Sequence, residues 1–178
     1  YRFNISVVTM SIDDLFHMLM KSEIDLAVGI FSHEDIPKEF VTPLKARERS
    51  VVAVRSGHPL GDKTSVTMQD LSKFKSVLPS VPKSVLNQME DEAGMELSTP
   101  NISCENYAMA RMIVMNTDYV TTGPEPVFHN EFAAGELVKV DVKEEIELEF
   151  LCLAKPEKLK MPIFKEVVGL FSQYMDGE

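Results

Sequence analysis

Ile24-Asp25-Leu26-Ala27-Val28-Gly29-Ile30 and Ser50-Val51-Val52-Ala53-Val54-Arg55 are two apolar runs of strand length without polar alternation. Strands covered on both faces look like this, so the block from Ile24 to Leu60, closed by Gly57-His58-Pro59-Leu60, reads as the middle of a layered α/β domain. Toward the N-terminus, Phe3, Ile5 and Val7 alternate with Arg2, Asn4 and Ser6. That period predicts a half-buried strand. Ser11 reads as an N-cap with Asp13 and Asp14 in the first turn, and Ile12, Leu15, Phe16 and Leu19 give one apolar helical face. Strand, helix and strand up to Ile30 make a βαβ unit, and such units predict a parallel sheet.

Toward the C-terminus, Pro37 and Pro43 break a linker before Val51. Val66 to Leu71 reads as a short helical turn capped by Thr67, with Asp70 at N3. A strand over Phe74 to Leu78 runs into Pro79-Ser80-Val81-Pro82, whose prolines fix an extended loop. A helix then starts near Ser84, with Val85, Leu86, Met89 and Ala93 inward. The rhythm repeats: strand Asn101 to Cys104, helix Glu105 to Met115, strand Tyr119 to Thr122, helix Glu125 to Phe132 ending at Gly135, and a strand through Leu137, Val138 and Val140. Ile146, Leu148, Phe150 and Cys152 alternate with Glu145, Glu147 and Glu149 before the strand becomes apolar on both sides. Pro162 opens a last amphipathic helix through Phe164, Val167, Val168, Phe171 and Tyr174. The expected architecture is two Rossmann-like α/β lobes, residues 1–75 with 151–178 and residues 76–150, joined by two crossings near Lys75–Leu78 and Glu149–Leu153. Between them lies a cleft.

The 178 residues, 44% of them hydrophobic, suffice for a globular core. Lys and Arg number 18 against 28 Asp and Glu, so the formal charge is −10. Phosphate-binding surfaces need clustered cations, so nucleic-acid binding by this segment is disfavoured. There is no apolar stretch of about 18 residues and no basic-then-apolar leader, so neither a membrane span nor a signal peptide is visible. Cys104 and Cys152 read as reduced, buried thiols rather than a disulfide framework. Cys104 at a helix start would be the candidate for a lowered thiol pKa.

His17, His33, His58 and His129 are scattered, with no metal spacing, so no metal site is expected. GxSxG, GxxxxGK[ST] and GxGxxG are all absent, and no cofactor is implied. The run Glu144, Glu145, Glu147, Glu149 reads as a solvated strand face, and most of the 11 methionines as core filler. What remains is a binding cleft at the carboxyl ends of strands. Its expected walls are Phe31 and Ser32, then Pro79, Ser80 and Val81, then Glu105, then Thr121, Thr122 and Gly123. Hydroxyls, backbone N–H groups and helix N-termini at such points hold carboxylates or other anions without Lys or Arg.

Ser22-Glu23-Ile24-Asp25-Leu26-Ala27-Val28, Pro43-Leu44, Val51 to Val54 with Gly57-His58-Pro59-Leu60, and Val66-Thr67-Met68-Gln69-Asp70-Leu71, in this order and spacing, resemble the effector-binding domain of LysR-type transcriptional regulators. Thr121 to Pro124 and Gly135-Glu136-Leu137-Val138 extend the resemblance over nearly the whole chain. It implies a type 2 periplasmic-binding-protein-like fold and a small-molecule effector, such as an organic acid or sugar, between two lobes. It also implies a cytoplasmic bacterial homo-oligomer, dimer or tetramer, that is not an enzyme and touches DNA through a separate N-terminal winged helix-turn-helix. The chain departs from the family in lacking that basic segment and in starting at what resembles the second strand, so the first strand and helix are expected to be missing. Gly123 stands where the family more often has a larger apolar residue. The rival expectation is a solute-binding protein or enzyme on the same fold.

Overall fold

The computed structural model describes residues 4–63, 65–93, 99–143 and 147–175. Ser11 caps the first helix, α1 (Ile12–Met20), accepting the Asp14 amide at 3.2 Å, with Asp13 and Asp14 in the first turn. Ile12, Leu15, Phe16 and Leu19 turn inward as their spacing predicts, onto Ala27, Phe31, Phe40, Leu151 and Leu153. The strand expected over Phe3 to Val7 is overturned. Phe3 lies outside the described residues, Asn4 to Met10 is not strand, and Ile5 and Val7 are 64% and 85% exposed. Alternation makes a strand only where a neighbour supplies a ladder, and no described strand lies beside this segment.

The first apolar run forms β1 (Leu26–Gly29), with Ala27 buried and its neighbours partly covered. The second belongs to a much longer strand, β2 (Val41–Arg55), so the expected linker is strand from Val41 onward. Pro43 sits at the register shift between Val41 and Leu44, where a residue without an N–H breaks no ladder bond. Exposed Lys45, Arg47 and Arg49 then alternate with half-buried Leu44, Ala46 and Glu48, and Val51 to Val54 are buried on both faces as read. Beyond, α2 (Met68–Leu71) starts at the predicted capping box: Thr67 Oγ1 accepts the Asp70 amide at 3.2 Å and Asp70 Oδ2 the Thr67 amide at 3.3 Å. There follow β3 (Val77–Pro79), α3 (Lys83–Ala93), β4 (Ile102–Cys104), α4 (Tyr107–Met115), β5 (Thr121–Pro124), a 3-10 turn over Glu125–Phe128, α5 (His129–Ala134), β6 (Leu137–Val140), β7 (Glu147–Ala154) and α6 (Pro162–Met175). Gly135 ends α5 at φ +71°, the left-handed C-cap that glycine adopts without strain. Ile146, and the side chains of Met89, Ala93 and Tyr174, lie outside the described residues.

The fold is mixed α/β, as expected, but the pairing differs from the predicted parallel sheet. β7 lies between β1 and the first half of β2 and is antiparallel to both. The second half of β2 lies between β5 and β6, again antiparallel to both. β3 and β4 are parallel, and a parallel bridge from Ser76 to Val120 brings β3 alongside β5. So β3 and β4, with α3 between them in sequence, pair in parallel as a βαβ unit requires, whereas β1 and β2 run the same way with β7 inserted antiparallel between them, and β5 and β6 likewise with β2 between them. The sequence period reports direction and burial, not which strand arrives later as a neighbour.

Three apolar clusters fill the layers. One is the α1, β1 and β7 group around Leu19, Phe31 and Leu151. The other two lie on opposite faces of the second half of β2: Val51 and Ala53 pack with Val77, Cys104, Ala110, Val114 and Phe128, while Val52 and Val54 pack with Leu60, Val66, Leu71, Val120 and Val140.

Candidate functional site

Strand directions bring two edges face to face. β1 and the first half of β2 run the same way, so the carboxyl end of β1 at Gly29 points along β2 toward Ser50. β5 runs against β2, and its carboxyl end at Pro124 is paired with Ser50, pointing back. β3 and β4 run with β5, so their carboxyl ends at Pro79 and Cys104 open on the same edge. α3 and α4, which follow those two strands, begin there with their N-terminal amides.

The residues read as cleft walls distribute over these edges unequally. Phe31 and Ser32 follow β1, but both are buried, Phe31 in the Leu19 cluster and Ser32 at the head of a 3-10 turn over His33–Asp35. Pro79 is half-buried, Ser80 and Val81 are exposed, and the Ser80 amide donates to the Cys104 carbonyl at 2.9 Å. That bond sets Ser80 beside exposed Glu105. Thr122 is half-buried. Thr121 and Gly123 pair with Ala53 and Val51 and so share the face of the Val51 cluster. Thr121 is 0% exposed, and its Oγ1 has no hydrogen-bond partner among the described residues.

Sequence reasoning missed several residues at this edge. A groove of about 520 Å³, lined by Glu48, Glu125, Pro126, His129 and Asn130, opens where β2 passes the carboxyl end of β5. On the opposite face of β2, Glu149 is no solvated carboxylate: its side chain is 9% exposed and meets His33 Nε2 at 2.5 Å, Lys45 Nζ at 2.9 Å and Arg47 Nε at 3.3 Å. Burial works to raise its pKa, but the hydrogen bonds from Lys45, His33 and Arg47 and the Lys45 charge hold it below the ordinary carboxylate value. Glu147, by contrast, is solvated as read. Glu144 and Glu145 lie outside the described residues. The signal was present: cations at 45, 47 and 49 have the same period as the glutamates opposite, and Arg47 pairs across the ladder with Glu149.

Tyr107 opens α4 behind its Asn106 cap and lies over Gly123. A Cβ built there would stand 2.5 Å from Cε1 of the ring and 2.7 Å from Cζ and Oη. Burial, with a smaller contribution from Cys104, pushes the Tyr107 phenol up to about 12. Cys104 is buried, its thiol donating to the Asn106 carbonyl at 3.3 Å, and burial raises its pKa despite the backbone hydrogen bonds. The lowered value considered for a helix-start thiol is therefore corrected. Burial alone pushes Cys152 to about 11. Among the described residues no three His, Cys, Asp or Glu side chains group as metal ligands, and no helix is long and apolar enough to cross a membrane.

The family described as the LysR substrate binding domain matches residues 2–176. No curated protein matches the sequence. Among solved structures, the chain is similar to the probable transcriptional regulator PA0477 from Pseudomonas aeruginosa, with a TM-score of 0.67 and 16% identity over 86% of this chain and 52% of that one. It is similar to the effector binding domain of QuiR in complex with shikimate, with a TM-score of 0.64 and 14% identity over 82% and 69%. The CcmR regulatory domain of Synechocystis in complex with 2-PG gives a TM-score of 0.67 and 14% identity over 94% and 81%. The chain thus spans about half the length of the first of these. With nearly every residue inside the family match and this type 2 periplasmic-binding-like arrangement of strands, the chain belongs to the LysR substrate-binding domain family.

Proposed function

We propose that the chain is the effector-sensing part of a cytoplasmic LysR-type transcriptional regulator, working as a homo-oligomer and acting on DNA through a separate helix-turn-helix segment. The observation that carries this reading is the meeting of strand carboxyl ends across the middle of β2, with two helix N-termini starting there. The lobes of this reading part within β2 and β7, near residues 50 and 149, because Leu60, Val66 and Leu71 pack with Val120 and Val140. The ligand is a small organic carboxylate, held by the amides that open α3 and α4 and by Ser80, beside Val81, Glu105 and Thr122. Phe31, Ser32, Thr121 and Gly123 support this cleft from beneath rather than line it. Support comes from relatives with the same fold whose bound molecules are shikimate and 2-PG. The family match favours a regulator over an enzyme or a solute-binding protein, and no cofactor enters the reading. A ligand acts as a switch here only through unequal affinity for two arrangements of the lobes.

A thermal-shift series of carboxylates, shikimate included, tests the reading, since a ligand of the folded state raises apparent stability. The expected outcome is a Tm rise for at least one compound, with Ser80→Ala binding it about fivefold to tenfold more weakly, the worth of one hydrogen bond near 1 kcal/mol. No shift with any carboxylate removes the reading. Equal affinity in the variant removes Ser80 from the site.

A further inference from the structure

Gly123 and Tyr107 form a matched pair at the ligand-facing edge. Gly123 is the penultimate residue of β5 and Tyr107 the first of α4, so both stand where the carboxyl ends of β3, β4 and β5 open. The tyrosine takes the room in which a side chain at 123 would sit, since even one methyl group would stand 2.5 to 2.7 Å from two ring carbons and the phenolic oxygen. It is braced edge-on against Phe128, with centroids 5.8 Å apart and planes at 89°. On the same strand face is the hydroxyl of Thr121, without a partner among the described residues. Tyr107, packed against the Val51 cluster, thus lies over a glycine on the strand face that also carries a buried polar atom with no partner among the described residues. We propose that Tyr107 is the specificity-determining residue of the cleft: its ring sets the depth available to the effector and restricts it to small carboxylates.

This inference rests on the effector-binding reading, so its test separates the two. A size series of carboxylates, lactate, shikimate and 2-naphthoate, is titrated against the wild type, Tyr107→Phe, Tyr107→Leu and Tyr107→Ala by thermal shift. The wild type and Tyr107→Phe are expected to favour the smaller members. Tyr107→Leu and Tyr107→Ala are expected to move the preference toward 2-naphthoate by at least tenfold, which a general loss of stability would not do. Independently of any ligand, Gly123→Ala is expected to lower Tm, and the loss is expected to vanish in the Tyr107→Ala background, where the methyl has space. If no carboxylate stabilises the wild type, the effector reading falls and this inference with it. If the wild type responds but the size ranking is the same in the Leu and Ala variants, the inference alone is overturned. Failure of both variants to fold makes Tyr107 a core residue and also overturns it.

Discussion

At Thr121 a polar atom has been taken into the core without compensation. Its residue is fully buried and its hydroxyl has no partner among the described residues, so the group has lost water without a bond from them. Such a group costs about 1–3 kcal/mol. Thr121→Val keeps the shape and the β-branched stiffness suited to a strand. The variant is expected to be more stable by about 1 kcal/mol, a Tm rise of about 2–4 °C for a domain of this size. Thermal unfolding measures it, and a lower Tm would mean the hydroxyl is satisfied. The contrast with Ser11 and Thr67 shows what single residues reveal. Their hydroxyls bond amides three positions away, so the local pattern sufficed to place them. Thr121 faces the core because it pairs with Ala53, and no neighbour in sequence reports that register.

Among the elements, β2 and β7 carry the least expected feature, the carboxylate of Glu149 among His33, Lys45 and Arg47. His33 comes from the turn after β1 and the two cations from β2, so one side chain ties a wall of the proposed cleft to both long strands. Glu149→Gln removes the charge those donors share and is expected to destabilise by about 1–2 kcal/mol at pH 7. The folded-state pKa lies below the ordinary 4.5. The stabilisation is therefore complete above that ordinary value and is lost as pH falls through the lower, folded one. Melting curves from pH 7 to pH 3 should show the two proteins converging in acid, and a gap that is the same at both ends would refute the assignment. Helices were legible as elements because their caps and apolar faces are written locally, as in α1 and α2. β2 was half hidden, since Pro43 resembles a break unless the bulge between Val41 and Leu44 is known.

For the whole molecule, charge was the most legible property and order of pairing the least. A formal charge of −10 repels a polyanion, and the exposed cations of β2 face Glu147 and Glu149. Mixed alone with short duplex DNA near physiological salt, this chain is expected to give no mobility shift at micromolar concentration, where nonspecific binders with Kd of about 10⁻⁴–10⁻⁶ M begin to retard it. A clear shift would mean that a local basic face outweighs the net charge. The type 2 periplasmic-binding-like fold was readable from motifs in order, yet the inserted antiparallel strands were not, because no local period encodes a neighbour that joins a hundred residues later.

β2 gives its first half to β7 and its second to β5 and β6, so one strand serves the ladders of both parts of the molecule. Any rotation of one part against the other must therefore be absorbed as twist where β2 and β7 cross between them.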